Sequence, residues 1–276
     1  MPEGPEIRRA ADRIAAVLGG RTLEEVWFGL PRLSHYGPAL TGRRVTAVDT
    51  RGKALLIRFD AGVSLYAHNQ LYGRWYLRKR GQLPRTRRSL RVALHTKNDS
   101  ALLYSASELA LLTPDEERDH PYLARLGPDV LDSGLGWREV GQRIDLPAFR
   151  NRALGGLYLD QRFLAGIGNY LRAEILFAAR LHPARKPRGI TPEQRALLAR
   201  QTLIIAQRAY RSGGVTVAPE RARVLKSQGL SYAAYRFAVF SRAGKPCPVC
   251  GTPIERADAA ARRIYLCPSC QPAAGR

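Results

Sequence analysis

The first pattern along the chain is an apolar stripe with the period of an α-helix. Between Glu6 and Leu18 apolar residues recur every three or four positions, so they share one helical face. The pair Gly19-Gly20 follows and favours a helix end. We therefore predict an amphipathic helix over 6–18, with these residues on its buried face: Ile7, Ala11, Ile14 and Leu18.

The pattern changes to short strands from about Thr22 to Ser107. Four segments alternate or are wholly apolar: ALLIRFD, VSLYAHN, RVALHT and ALLYSA. The stretches DAG at 60–62 and KNDS at 97–100 are typical of hairpin turns. Several short strands in series indicate an antiparallel sandwich or barrel.

Near Asp132 the hydrophobic pattern changes, and segments with helical periodicity follow. The segment TPEQRALLARQTLIIAQRAYRSGG carries helix signals at both ends. Thr191 is placed to cap a helix, Pro192 suits its first position, and Gln194 can complete a capping box. The pair Gly213-Gly214 then favours the end of this helix.

These patterns predict an α+β multidomain protein. Its parts are an antiparallel β-sandwich over 1–132, a helical domain over 133–235, and a small cysteine-bearing hairpin over 236–276. The 276 residues are 45% hydrophobic, which is enough for real cores. There is no run of about 18 apolar residues and no apolar signal region, so we expect a cytoplasmic protein without a membrane span.

Charge narrows the class of partner. The chain has 45 Lys and Arg against 23 Asp and Glu, a net charge of +22 and a pI near 10.7. Such a field attracts polyanions, and nucleic acid is the leading candidate. Anionic membrane and the ribosome are the alternatives at this point.

Four cysteines predict a metal site. They form the pattern C-x2-C-x16-C-x2-C, in which each pair can hold one ion through a tight knuckle. Four thiolates favour one tetrahedral, structural Zn²⁺ with no open coordination position. Two disulfides are the alternative, which suits a cytoplasmic chain poorly. The predicted ligands are Cys247, Cys250, Cys267 and Cys270.

Five motifs occur together in the order of one known family. They are MPEGPEI at the start, RGKALL at 51–56, QLYG at 70–73, LDQRFLAGIGNYLRAEIL at 159–176, and the four-cysteine hairpin. Over essentially its whole length the chain resembles the formamidopyrimidine-DNA glycosylase/endonuclease VIII family, and the endonuclease VIII branch in particular. The resemblance implies a catalytic N-terminal β-sandwich, a helix-two-turn-helix DNA-binding domain and a C-terminal zinc-finger hairpin, with DNA bound in the cleft between.

The resemblance also implies an activity, which gives the N-terminal Pro2 a chemical meaning. Enzymes of this family excise oxidised bases and then cut the strand by β,δ-elimination. Removal of Met1 would make the Pro2 nitrogen a secondary amine, and an α-amino group titrates near ~8, below the ~10.4 of lysine. Attack on C1′ of a flipped nucleotide would give an iminium ion that cannot lose a proton from nitrogen and so remains an electron sink. An inert proline after Met1 is the alternative.

Three further residues are candidate catalytic groups. Glu3 is a candidate general acid at the sugar, with stabilisation of a helix dipole as the alternative. Glu6 is a weaker candidate, with positioning as its alternative. Lys53 is one of only six lysines among the 45 basic residues, which suggests that a compact ammonium is needed there. The resemblance assigns Lys53 to the sugar or phosphate near the lesion, and an ordinary surface lysine is the alternative.

The remaining candidates concern DNA binding. The triplet Gln70-Leu71-Tyr72 is assigned by the resemblance to filling the void left by a flipped base, with core packing as the alternative. Asn169 follows a glycine-rich turn whose exposed N–H groups favour phosphate, and its side chain can add a donor, cap the helix, or do both. Arg262 aligns with the phosphate-binding finger arginine of the family, and Arg263 is the competing candidate.

The expected partner is therefore double-stranded DNA with damaged bases or abasic sites. We expect a monomer associated with the bacterial nucleoid, and oxidised pyrimidines as substrates. Two other functions stay open from the sequence: removal of oxidised purines, and non-catalytic DNA binding by a zinc protein. The segment 214–234 matches the family least, which leaves detailed lesion preference undecided.

Overall fold

The computed structural model describes residues 2–273 and places them in two compact units. One unit comprises Pro2 and Glu6–Arg125, and the other comprises Glu3–Pro5 and residues 126–273. Met1, whose removal the Pro2 chemistry requires, and residues 274–276 of the predicted third part lie outside the described residues. The predicted division at 132 and 235 stays a prediction.

The first helix confirms the apolar stripe. Helix α1 spans Gly4–Leu18 and so begins two residues before the predicted start. The four stripe residues are all buried, because they face the core of the first unit. Three short α-helices and a 3₁₀-helix at Leu123–Arg125 complete the helical part of this unit. The α-helices are α2 Pro31–Ser34, α3 Tyr36–Leu40 and α4 Pro114–Asp119.

The strands of the first unit form two four-stranded antiparallel sheets, as the sequence predicts. The strands are β1 Glu25–Phe28, β2 Val45–Arg51, β3 Ala54–Phe59, β4 Ser64–His68, β5 Arg74–Lys79, β6 Leu90–His95, β7 Asp99–Tyr104 and β8 Glu108–Leu112. One sheet has the order β2-β3-β4-β8 and the other the order β1-β6-β7-β5. Alternate side chains of both sheets share one core, among them Leu55, Ile57, Leu65, Val92, Leu94 and Leu103.

The second unit is helical and ends in a β-hairpin. Its elements are α5 Trp137–Asp145, α6 Leu154–Leu157, α7 Asn169–Ala178, α8 Pro192–Ser212, α9 Pro219–Ser227, α10 Tyr232–Tyr235, β9 Glu255–Ala259 and β10 Arg262–Leu266. Strands β9 and β10 pair antiparallel. Hairpin residues Ile254, Ile264 and Leu266 belong to the same buried cluster as the helices of this unit, so the hairpin packs on them.

Helix α8 confirms its predicted ends. Thr191 caps it in a reciprocal capping box with Gln194, and Pro192 occupies the first turn. Gly213 follows with φ of 75°, a left-handed conformation that glycine adopts without steric cost. The poorly matching segment after it contains helices α9 and α10. Within residues 2–273, no helix has the length and apolar character needed to cross a membrane.

Candidate functional site

Glu3 is a buried carboxylate that caps helix α7. Its side chain is only 4% exposed. Oε2 accepts hydrogen bonds from the backbone N–H of Gly168 at 2.8 Å and of Leu171 at 3.2 Å, and Oε1 accepts from Tyr170 at 2.9 Å. Glu3 therefore satisfies the first turn of a helix 165 positions or more along the chain. The hydrogen bonds of the Glu3 carboxylate are therefore with the N-terminus of α7, a helix other than the one that follows Glu3 in the chain.

Gly168 permits this close approach. A Cβ atom at this position would lie 2.3 Å from Cδ of Glu3, so any larger residue displaces the carboxylate. Gly166 contributes its carbonyl oxygen, which accepts from the N–H of Gly4 at 2.8 Å. The sequence interpretation that the amides at this helix start favour phosphate needs correction, because the N–H groups of Gly168, Tyr170 and Leu171 already bind Glu3.

Asn169 lies at the first position of α7 and does not cap it. Gly168 is the N-cap residue, so the capping alternative is wrong. The Asn169 side chain instead donates from Nδ2 to the carbonyl oxygen of Arg263 at 3.0 Å and accepts at Oδ1 from Arg172 at 2.6 Å. The tie between α7 and β10 makes Asn169 part of the hairpin support.

Arg172 completes this support. It is fully buried, and its guanidinium donates to the carbonyl oxygens of Gly155, Ala259 and Arg263. Burial, with a smaller contribution from nearby Arg262, lowers the pKa of Arg172 to about 10, so the group stays charged at neutral pH. The signal in the sequence was a charged residue inside an apolar helical run, which is costly unless paired.

Arg262 and Arg263 are both exposed at the start of β10. Arg262 pairs with Ala259 across the hairpin, and Arg263 pairs with Asp258. Arg262 also lies close enough to Arg172 to lower its pKa. The neighbourhood of Asn169 and Arg172 therefore has an additional exposed cation at Arg262.

The four cysteines fit one tetrahedral zinc ion. Their sulfur atoms all lie within 4.8 Å of one another. The Sγ atoms of Cys247 and Cys270 are 3.8 Å apart, and those of Cys250 lie 3.4 and 3.5 Å from Cys267 and Cys270. A tetrahedral Zn²⁺ with Zn–S bonds of about 2.3 Å separates its sulfurs by about 3.8 Å. The structure contains no bond between these sulfur atoms, which argues against the disulfide alternative.

Lys53 in the first unit lies in the turn that leads from β2 into β3, as the sequence predicts. Its side chain is half-buried, and its backbone N–H donates to the Tyr122 hydroxyl at 3.1 Å. Pro2 and Glu6 are also half-buried. These placements are compatible with the predicted roles of the three residues, which stay predictions.

The triplet Gln70-Leu71-Tyr72 lies in the loop between β4 and β5. Leu71 is 59% exposed and Tyr72 is 66% exposed. Core packing therefore does not explain these two apolar side chains, and the alternative role is wrong for them.

Sequence reasoning missed two residues beside this loop, His68 and Glu108. His68 pairs with Ala54 on one side and with Glu108 on the other, so the ends of three strands meet next to Lys53. Burial lowers the pKa of His68, with Lys53 adding to the shift and Glu108 opposing it. No metal-ligand or motif spacing marks His68 and Glu108 in the sequence, because strand register brings them together.

Three family models match successive parts of the chain. The formamidopyrimidine-DNA glycosylase N-terminal domain matches residues 1–107, the formamidopyrimidine-DNA glycosylase H2TH domain matches 126–220, and the zinc finger found in FPG and IleRS matches 244–273.

Relatives match over nearly the full length. Endonuclease 8 of Enterobacter sp. is 47% identical over 271 residues, covering 98% of this chain and 100% of that protein. Endonuclease 8 of Escherichia coli is 46% identical over the same coverage. The solved structure of MutM (Fpg) from Thermus thermophilus has a TM-score of 0.78 and 32% identity, covering 98% of each chain. A Lactococcus lactis Fpg complex with abasic-site DNA has a TM-score of 0.80 at 19% identity, covering 98% of this chain and 100% of that one, which shows the fold alone.

The β-sandwich, the helical part and the four-cysteine hairpin are those of a DNA glycosylase with lyase activity at abasic sites. The chain belongs to the formamidopyrimidine-DNA glycosylase/endonuclease 8 family. The predicted fold class, enzymatic activity and structural zinc ion are thereby confirmed. The alternative of a zinc protein that binds DNA without catalysis is wrong.

Proposed function

We propose that this enzyme excises oxidised pyrimidines from double-stranded DNA and then cleaves the strand by β,δ-elimination. The observation that carries the proposal is the 46–47% identity to proteins named Endonuclease 8 over 98% of the chain. The MPEGPEI terminus supports it, because a proline at position 2 supplies the amine that this chemistry needs.

Pro2 is the proposed nucleophile. Once Met1 is removed, the lone pair of the Pro2 nitrogen attacks C1′ of the damaged nucleotide, and the bond from C1′ to the base breaks as the base leaves with a proton. Loss of the amine proton and opening of the sugar give an iminium ion. Because proline nitrogen carries no further proton, the iminium keeps its charge and acidifies the C2′ hydrogens.

Two eliminations then cut the strand. A base removes a proton from C2′, and the electron pair of that C–H bond passes to the iminium to give an enamine. The enamine nitrogen then returns its electron pair, which expels the 3′ phosphate and leaves a conjugated iminium. A second elimination from the conjugated product expels the 5′ phosphate. In this scheme Glu3 transfers a proton at the sugar during base loss, Lys53 contacts the sugar or phosphate as a compact ammonium, and Glu6 positions the N-terminal turn.

Duplex DNA with damaged bases or abasic sites is the proposed partner. The net charge of +22 favours phosphate contacts, and we assign one contact to Arg262 because it is exposed and lies close enough to Arg172 to lower its pKa. Fpg of Lactococcus lactis has been solved with abasic-site DNA, in the same fold. The protein would act as a monomer on nucleoid DNA in the cytoplasm.

Two experiments test the function. Borohydride reduces an iminium to a stable amine, so the protein should become covalently attached to a duplex that contains an abasic site or an oxidised pyrimidine. Excision rates on matched duplexes with an oxidised pyrimidine or 8-oxoguanine test the lesion class. We expect the pyrimidine to be removed faster, and faster removal of the purine would assign the enzyme to the formamidopyrimidine-DNA glycosylase activity. Absence of any adduct would overturn the lyase chemistry.

The zinc site gives a prediction for Cys267→Ser. Structural zinc contributes roughly 10–16 kcal/mol to the folding of small finger peptides, far more than the few apolar residues of this hairpin can supply. We expect metal loss and at least a tenfold weaker affinity for duplex DNA, because Arg262 and Arg263 lose their scaffold. Metal analysis and equilibrium binding measure both effects. Val249→Ala, an exposed change between Cys247 and Cys250, is the matched control, and zinc-free wild-type protein would disprove the site.

The exposed loop gives a prediction for the triple change of Gln70-Leu71-Tyr72 to alanine. Unstacking a nucleotide costs a few kcal/mol, so loss of the inserted side chains should slow excision from duplex DNA by roughly 10²-fold. Single-stranded DNA has no such stack, and its excision rate should fall much less. Single-turnover rates on both substrates give the comparison, with Leu83→Ala, an exposed leucine of the same unit, as control. Equal losses on both substrates would indicate a purely structural role.

A further inference from the structure

Three strand ends of the first unit bring a carboxylate to the void-filling loop. His68 ends β4, and it pairs with Ala54 of β3 and with Glu108 of β8. The chain continues from His68 directly into Gln70-Leu71-Tyr72. Glu108 is therefore fixed by sheet register beside the loop, although 38 positions separate it from Gln70.

Gln70 is held at both ends of its side-chain amide. Its Nε2 donates to Oε2 of Glu108 at 2.8 Å, and its Oε1 accepts from Oγ of Ser107 at 3.1 Å. Its backbone N–H donates to Nδ1 of His68 at 3.3 Å, a bond that belongs to the tautomer in which Nδ1 carries no proton. Gln70 thus makes three hydrogen bonds to neighbouring strand ends.

The hydrogen bonds of the Gln70 side chain stabilise an unfavourable backbone conformation at Gln70. Gln70 has φ of 48°, in the left-handed region that non-glycine residues rarely adopt. Such a conformation persists only where the surroundings determine it. The side-chain amide of Gln70 supplies that determination, because Glu108 and Ser107 fix its position relative to β8.

Glu108 is itself anchored from the other side. Its Oε1 accepts from the hydroxyl of Tyr66 at 2.8 Å, and Tyr66 is almost fully buried. Burial and Glu108 both raise the pKa of Tyr66, so the hydroxyl keeps its proton and remains a donor. With one oxygen bound to Tyr66, the second oxygen of Glu108 is oriented toward Gln70.

From this arrangement we infer that Glu108 is a positioning residue for base excision, acting through Gln70 to preset the loop that presents Leu71 and Tyr72. Gln70 serves as a strut of this loop, and the two exposed apolar side chains fill the void in the duplex. The inference rests on the proposed function, since it concerns the step in which a nucleotide leaves the stack. We call the contact between Glu108 and Gln70 the clamp. A loop that the clamp has already ordered loses less conformational freedom when it inserts into DNA than a mobile loop does.

A double-mutant cycle tests the clamp on the full-length enzyme. Glu108→Ala and Gln70→Ala should each lower the ratio of duplex to single-strand excision rates by roughly tenfold, the effect of losing one or two hydrogen bonds. The double variant should lower the ratio no further than either single variant, because both remove the same contact. Asp119→Ala removes an exposed carboxylate of the same unit and should leave the ratio unchanged.

A conservative variant separates the clamp from folding and from charge. Glu108→Ala leaves the Tyr66 hydroxyl without its acceptor, so thermal unfolding is measured for each variant. Glu108→Gln keeps an oxygen for Tyr66, and its amide can bond Gln70 after Gln70 turns its own amide toward Ser107. Glu108→Gln should therefore stay within about twofold of the wild-type ratio.

The possible results separate a failure of this inference from a failure of the proposed function. Additive losses in the double variant, an unchanged ratio in Glu108→Ala, or a Glu108→Gln ratio as low as that of Glu108→Ala would each overturn the clamp. In all three cases the wild-type protein would still be trapped by borohydride. If the wild type forms no adduct with abasic DNA, the proposed function itself has failed.

Discussion

A protein with one additional residue retained before Pro2 should form no borohydride adduct and should not cut abasic DNA. The added residue converts the Pro2 nitrogen into an amide, whose lone pair is delocalised into the carbonyl and cannot attack C1′. Both activities should fall to the background of a reaction without enzyme. Affinity for the same duplex should remain, because the arginines proposed to bind phosphate are unchanged.

The extension has a matched control and a clear contrary result. One additional residue at the C-terminus adds the same mass and leaves the Pro2 amine free, so trapping should continue. Mass spectrometry of each preparation establishes which residue is N-terminal. Normal strand cleavage by the N-terminally extended protein would remove Pro2 from the mechanism and leave Lys53 as the amine to test.

Glu3→Gln should separate base excision from cleavage at abasic sites. A positioned general acid contributes about 10²–10⁴-fold, and base loss needs it because the base is a poor leaving group. An abasic site has already lost its base, and its aldehyde reacts readily with an amine. The variant should lose most activity on oxidised pyrimidines while it still nicks abasic DNA and is trapped there. The ratio of the two rates in one preparation cancels differences in active fraction.

The contacts of Glu3 call for a second variant beside Glu3→Gln. Glutamine places an NH2 group against backbone N–H donors of Gly168, Tyr170 or Leu171, so some capping is lost, at a cost of about 1 kcal/mol. Gly168→Ala keeps the acid but displaces it, since its Cβ would lie 2.3 Å from Cδ of Glu3. Displacement should lower both rates together. If Glu3→Gln behaves in the same way, Glu3 supports α7 and the role of general acid must be abandoned.

Local features of the fold followed from the sequence because their causes are local. The stripe of α1 reflects a period of 3.6 residues, and the capping box of Thr191 and Gln194 joins groups three positions apart. The spacing of two residues within each cysteine pair is likewise local and typical of a zinc-binding knuckle, so the sequence alone predicts the zinc site. The order of the motifs indicated the family, and the resemblance to that family pointed to Pro2, Lys53 and the loop after β4 as candidate functional residues.

Only the tertiary structure decided how distant groups are joined. Glu3 caps α7 from 165 positions or more away, Arg172 is buried against carbonyls of β9 and β10, and Glu108 reaches Gln70 through strand register. The local sequence draws attention to Glu3 through its motif and to Arg172 through its apolar surroundings, but it identifies the bonding partner of none of the three residues. A hydrogen bond between remote segments depends on the packing of whole helices and sheets, which fixes partners that neither segment specifies alone.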